Sequence, residues 1–418
     1  MAVFLVEGFE HGSVNTTAYN TASQRIPLWN AYNTAASSTI AGSTTTPGSW
    51  SALSFDVNDA SSAANPSLVL STNPIAAQQT VSGSFRFRFV SALPSTNLEM
   101  FVIGTVAGSG PRLVFNTTDD KLYAAFDDNL DGTEEVAVSG VLVADTWYQV
   151  DFLWRADGDP NTFKARVDGA NENTASLEQS ITTSQNIRIG GTTTTVTQQG
   201  RWLIDDLVLD DTVAAYPLGP MKVYGLAPSS NGTHNTSGSF VQVGGTGGSW
   251  WTSIDSWGSG GGTFNNAEYI EQNVNGAGAY IEVGFESLPS LGADTVFGAG
   301  IAFLIWSSTT GANGAIAWMA DSGGSVLTTL FTGDCSDTSE RYQRWGAVAA
   351  PGGGWSESQA NGLKYRMGGA SAIPGNPRFS VAILQVAVKE GVAATVLPPK
   401  GRQLPLPVID AVNRSRVY

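Results

Sequence analysis

The densest set of metal-capable side chains in this chain is Asp127-Asp128-Asn129-Leu130-Asp131-Gly132-Thr133-Glu134-Glu135. Asp127, Asn129 and Asp131 offer oxygens on alternate residues, and Gly132 permits the sharp turn that the first half of a Ca2+ loop requires. The twelfth position, where a bidentate Glu would close the coordination sphere, is Val138. With that ligand missing, an acidic hairpin turn is the expected structure, and Ca2+ is the one metal these residues approach. The second candidate site is aromatic. Residues 244–262 contain 8 Gly among 19 residues and carry Trp250, Trp251 and Trp257. Two readings stay open: a long loop whose tryptophans fold back as a minor core, or an aromatic surface that docks on a sugar ring or a neighbouring subunit. Tryptophan suits the latter because it supplies a large contact area with few rotatable bonds.

Residues for bond-breaking chemistry are scarce. The two histidines, His11 and His234, lie in loop-like sequence and are expected to be structural or solvated. No Gly-x-Ser-x-Gly elbow, His-Glu-x-x-His zinc site or Gly-x-x-x-x-Gly-Lys-Ser/Thr phosphate loop occurs. Asp205-Asp206 and Asp210-Asp211 flank an apolar run and are expected as solvated strand ends. The single cysteine, Cys335, excludes an internal disulfide framework and is expected as a small, partly buried residue. The expectation is a protein without catalytic residues.

The elements that must position these residues read as β-strands. Tyr148, Val150, Phe152 and Trp154 alternate with Gln149, Asp151, Leu153 and Arg155, which predicts one face on a core and the other largely in water. After the turn Asp157-Gly158-Asp159-Pro160-Asn161 the alternation resumes at Phe163, Ala165 and Val167, so the pair is predicted to be a hairpin. Short strands follow at Ile187–Gly191 and Trp202–Leu209. Upstream candidates are Val3–Val6, Ser51–Val57, Ser67–Leu70, Ser84–Val90, Glu99–Ile103, Arg112–Asn116 and Lys121–Phe126. Seven or more strands at such intervals are what a two-sheet sandwich demands. No helical periodicity of useful length is present.

Composition bounds the function classes. A length of 418 residues suits two units of roughly 200 residues each. Charged residues are only 14% against about 25% in an ordinary domain, so Ser, Thr, Asn and Gly must cover the surface. Residues 1–216 hold 23 Asp/Glu against 10 Lys/Arg, and the remainder 13 against 11. The acidic first half repels phosphate backbones and anionic lipid, which argues against nucleic-acid and membrane partners. Met1–Glu7 lacks the basic start and apolar stretch of a secretory leader, and no apolar run reaches the ~20 residues of a membrane span.

The order W-Y-x-V-x-F-x-W, F-x-A-x-V-D-G, I-x-I-G-G and I-D-D-L-V-L-D-D across residues 147–211 resembles concanavalin A-like (laminin-G-like) β-sandwich domains. Phe4-Leu5-Val6-Glu7-Gly8-Phe9-Glu10-His11 is similar to the opening of such domains in tailed-bacteriophage structural proteins. More weakly, residues 221–388 resemble a second β-rich module of phage virion proteins, through Val223–Pro228, Tyr269-Ile270-Glu271, Trp355–Arg366 and Phe379–Val388. The resemblance implies an all-β fold: two tandem antiparallel β-sandwich (jelly-roll or concanavalin A-like) domains, residues 1–216 and 217–390, with a boundary at Ala215–Pro220. Concanavalin A-like laminarinases carry a Glu-x-Asp-x-x-Glu strand, and that spacing is absent here, which counts against glycoside hydrolysis.

Residues 391–418 form a proline-rich arm. Leu404, Leu406, Val408 and Ile409 are apolar without an evident core of their own, and Arg414 and Arg416 sit near the end. Such a tail is either free or an assembly contact laid across an acidic neighbouring subunit. The function that the resemblance implies is a non-enzymatic structural or decoration protein of a tailed-phage virion, in the tail, baseplate or capsid surface. Its partners would be other virion proteins and further copies of itself; it would be made in the host cytoplasm and need no cofactor. The alternative is a carbohydrate-binding adhesin that contacts a host glycan.

Overall fold

The computed structural model describes residues 3–7, 29–33, 39–43, 45–49, 54–59, 67–70, 80–103, 110–126, 135–156, 161–177, 187–191, 199–235, 239–255, 268–273, 279–307, 314–334, 343–369 and 376–391. The fold is all-β, with four antiparallel sheets.

Among the described residues, the first half contributes fifteen strands, beginning with β1 (Val3–Glu7), β2 (Trp29–Asn33), β3 (Thr39–Ser43), β4 (Ser54–Asp59), β5 (Ser67–Leu70), β6 (Thr80–Phe89), β7 (Leu98–Ile103) and β8 (Arg112–Asn116). The series continues with β9 (Lys121–Ala125), β10 (Glu135–Ala137), β11 (Tyr148–Arg155), β12 (Asn161–Val167), β13 (Ala170–Leu177), β14 (Ile187–Gly190) and β15 (Gly200–Asp210). One sheet runs β13-β12-β11-β6-β15-β4-β3, with β1 also on β15; the facing sheet runs β10-β9-β8-β7-β14-β5-β2. Alternation along β6 puts Phe85, Phe87 and Phe89 inside. There Phe85 stacks on Phe101 at 5.3 Å, and Phe89 meets Phe115 edge-on at 4.8 Å, so aromatic pairs tie the two layers together. Gly83 faces Phe152 across the β6–β11 ladder, and the Phe152 ring occupies the space a side chain would take: a Cβ there would lie 2.1 Å from Cζ.

The second half adds β16 (Met221–Leu226), β17 (Pro228–Asn235), β18 (Phe240–Val243), β19 (Tyr269–Gln272), β20 (Tyr280–Phe285) and β21 (Thr295–Ser307). It ends with β22 (Ala315–Ala320), β23 (Val326–Gly333), β24 (Gln343–Val348), β25 (Lys364–Gly369) and β26 (Pro377–Lys389). A six-stranded sheet runs β18-β19-β26-β21-β24, with β16 on β26, and a five-stranded one runs β17-β20-β25-β22-β23. Their shared core includes Ile281, Val283, Ile301, Phe303, Met319, Tyr365, Met367 and Leu384. One short helix, α1 (Glu357–Asn361), interrupts the β pattern; the Ser356 side chain accepts from the Gln359 N–H at its start.

Two expectations are corrected. The alternate face of β11 is not in water: Gln149, Asp151 and Leu153 are buried with the core residues between them. The acidic pairs are not solvated strand ends either, since Asp205, Asp206 and Asp210 are all fully buried. The second half of the chain covers this face at Asp151 and Asp206, which accept from the Gly219 and Val223 N–H groups, while Asp210 accepts from Thr212 within the first half.

Candidate functional site

The covered face forms a seam with an apolar centre and charged surroundings. Val6 on β1, Val208 on β15, and Leu218, Met221, Val223 and Ala387 from the second half make a separate buried cluster. Asp206 stands beside it at a bulge in β15, with φ 54, where the ladder to β6 slips between Asp205 and Val208. The bulge turns the Asp206 carboxylate out of the sheet: Oδ1 accepts from the Val223 N–H at 2.7 Å and Oδ2 lies 3.2 Å from Arg86 Nε. Arg86 also donates to the Met221 carbonyl and reaches Glu390 at 2.6 Å. A buried carboxylate is stable only when ion-paired and hydrogen-bonded, and Asp206 is both.

Further contacts cross the same seam. Asp151 Oδ1 accepts from the Gly219 N–H at 2.8 Å, and Arg166 holds its other oxygen at 3.1 Å. Burial pushes the Asp151 carboxyl above the usual carboxylate range, outweighing the Gly219 and Arg166 contacts. The Ser84 hydroxyl donates to the Gly219 carbonyl, and Gln385 Nε2 donates to Glu7 Oε1 at 2.9 Å, joining β26 to β1. On the second half's side, Lys222 pairs with Asp294 at 2.9 Å, and the Gly391 N–H reaches the other Asp294 oxygen. The Lys222 ammonium, then the Gly391 amide, hold the Asp294 carboxyl below its usual range. A cleft of about 730 Å³ opens beside the seam, lined by Val3, Val296, Phe297, Val348, Trp355 and Lys389 among others. Among the described residues, no carboxylate lines it.

Among the expected site residues, Trp250 and Trp251 lie in a 3-10 turn, Trp250–Ser253, and pack half-buried against the second core. Side chains hold that turn. Asn231 accepts from the Trp250 N–H at 2.8 Å and donates to the Gly248 carbonyl, while Gln242 Nε2 donates to the carbonyls of Thr246 and Ser249. The Gly-rich stretch up to residue 255 is thus an ordered loop folded back on its own sandwich. His234 is exposed, with its ring edge-on to Tyr280 at 5.8 Å. Trp257, His11, Cys335 and the Ca2+ candidates Asp127, Asn129 and Asp131 lie outside the described residues, as do Leu404, Leu406, Val408, Ile409, Arg414 and Arg416 of the arm. Among the described residues, no group of three or more His, Cys, Asp or Glu side chains is placed to hold a metal ion.

Sequence reasoning passed over the seam residues Arg86, Asp151, Asp206 and Glu390. One local signal does mark the bulge. The core-facing residues of β15 are Trp202 and Ile204 before Asp205-Asp206, then Leu207 and Leu209 after it, so the parity shifts by one at the acidic pair.

No protein-family model and no curated protein sequence matches the chain. Similar solved structures include a sialidase, 14% identical with a TM-score of 0.34, where the match covers 51% of this chain and 19% of that one. A conserved carbohydrate esterase from Shiga toxin-encoding bacteriophage phi24B is 13% identical with a TM-score of 0.32, covering 49% of this chain and 98% of that one. The cellulose induced protein Cip1 is 12% identical with a TM-score of 0.32, covering 50% and 97%.

Proposed function

We propose that the chain is a non-enzymatic structural protein of a tailed-phage virion, carried on the tail, baseplate or capsid surface. The observation that carries this reading is the buried seam. Its polar network, built on Arg86, Asp151 and Asp206, holds the two halves of the chain together. The resemblance of the opening segment Phe4–His11, and more weakly of residues 221–388, to phage structural proteins supplies the setting. In this reading the partners are other virion proteins and further copies of the chain, with residues 391–418 as the assembly arm, and no cofactor is needed. Rigid, low-charge β-surfaces repeated in many copies make weak contacts additive. Mass spectrometry of gradient-purified particles from the producing cells tests the placement. The chain should co-purify at fixed stoichiometry, and removal of residues 391–418 should abolish incorporation while both sandwiches stay folded. A chain found only in the particle-free supernatant contradicts the proposal.

A second reading, attachment to a host glycan, is favoured by the half-buried aromatic rings of the second sandwich. Its test is binding of the intact chain to a glycan array. Binding that Trp250→Ala or Trp251→Ala abolishes would put the ligand on the ordered loop, whereas undiminished binding would clear that loop of the role.

A further inference from the structure

The five-stranded sheet has a second face, turned away from the core, where chemistry collects. On β20, β25 and β22 the residues Ile281, Val283, Tyr365, Met367, Ala317 and Met319 point inward. Their alternates Tyr280, Glu282, Arg366, Gly368 and Trp318 share the opposite face. Register sets Glu282 and Trp318 on either side of Arg366, and Tyr280 opposite Gly368. Because Gly368 has no side chain, the Tyr280 ring leans toward Trp318, edge-on at 5.3 Å. His234 on β17 completes the row of rings.

Arg366 is held beneath these rings. It is 4% exposed; Nε donates to Glu282 Oε2 at 2.6 Å, Nη1 donates to the Gly324 carbonyl at 2.7 Å, and Cζ lies 5.0 Å from the Tyr280 centroid. Its Nη2 has no acceptor among the described residues, and neither has Trp318 Nε1, although both atoms are buried. A buried N–H donor left unpaired costs about 1–3 kcal/mol. Gly324, at φ +89, keeps a side chain out of the space beside them: a Cβ there would stand 2.7 Å from Arg366 Nη2 and 3.7 Å from His234 Nε2.

We infer that this face is a saccharide-binding subsite formed by His234, Tyr280, Trp318 and Arg366. Half-buried aromatic rings offer apolar contact, and the two unpaired N–H groups ask for acceptor oxygens close by. A pyranose ring presents both, with C–H groups on its faces and hydroxyl or carboxylate oxygens at its edge. The assignment rests on the attachment reading and gives it a site distinct from the Trp250 loop.

The test is an array of neutral and uronic-acid oligosaccharides, followed by calorimetric titration of the intact chain with the hexamer bound best. The neutral and acidic arms tell a hydroxyl from a carboxylate acceptor. Tyr280→Ala and Trp318→Ala should each weaken binding at least tenfold. His234→Ala, at an exposed position, should weaken it less, and Trp250→Ala should leave it unchanged. Thermal melts of each variant confirm folding, and the His234 variant keeps the test alive should either other variant unfold. Binding indifferent to Tyr280 and Trp318, or lost only in the Trp250 variant, overturns this site and leaves attachment standing. No binding to any member of the array removes both.

Discussion

Replacing Arg86 by Met tests the seam most sharply, because it deletes one charge and keeps most of the packing volume. In the native fold Arg86 touches Asp206 at 3.2 Å, Glu390 at 2.6 Å and the Met221 carbonyl at 3.2 Å. Its side chain keeps 16% exposure, while that of Asp206 has none. Arg86→Met therefore removes the Arg86 guanidinium from a fully buried carboxylate that still accepts from the Val223 amide. Breaking a buried pair from one side costs about 3–5 kcal/mol, and the partial exposure of Arg86 places this case near the lower end. At roughly 2–4 °C per kcal/mol for a unit of 150–250 residues, and less for a longer one, Tm should fall by roughly 5–10 °C. Arg88, two residues along the same strand, is the matched control: its partner Asp145 is half exposed, so Arg88→Met should change little. Differential scanning calorimetry reads the shift, and hydrogen exchange at the Val223 amide, which donates to Asp206, should quicken in the Arg86 variant alone. An Arg86→Met protein that melts within about 2 °C of the parent, or no lower than Arg88→Met, would refute the reasoning that the seam depends on this charge.

Two further outcomes follow from the same geometry. Gly83→Ala forces a Cβ against the rings and methyls of Phe152 and Leu209, at 2.1 and 2.8 Å, and should destabilise the first sandwich by about 1–3 kcal/mol in urea titration; a neutral result would mean the ring moves freely. Asp294, whose carboxyl is lowered by Lys222, contributes stability above the ordinary carboxylate range that is lost as pH falls through its lowered value. Asp294→Asn should accordingly flatten the acid limb of a Tm-versus-pH curve. Asp151, raised by burial, acts in the opposite sense, favouring the folded state as pH falls through its raised value; Asp151→Asn should steepen that limb.

Much of the first sandwich was legible because its strands carry large apolar residues at period two. Tyr148–Arg155, Arg112–Asn116 and Ser67–Leu70 fall where the alternation puts them. Strand β13, with the sequence Ala-Asn-Glu-Asn-Thr-Ala-Ser-Leu, escapes the pattern because Asn171 to Thr174 are polar and exposed, and the buried residue after them is the small Ala175. Strand β17, Pro-Ser-Ser-Asn-Gly-Thr-His-Asn, is polar throughout and reads as loop; only pairing with β20 makes it a strand. The helix Glu357–Asn361 is too short for a period, although Ser356 and Gln359 spell its capping box. The seam was hidden for a different reason. Period-two alternation reports which residues share a face, but not whether another layer covers that face, so Asp151 and Asp206 looked solvated. The outer face of the five-stranded sheet was not legible at all: Tyr280, Trp318 and Arg366 are far apart in the chain and meet only through strand register.

That two sandwiches behave as one body is the claim on which the scaffold reading turns. Calorimetric unfolding of the intact parent protein measures it directly. A sealed seam predicts a single transition whose calorimetric and van't Hoff enthalpies agree. Two well-separated transitions in the parent protein, one for each pair of sheets, would contradict it.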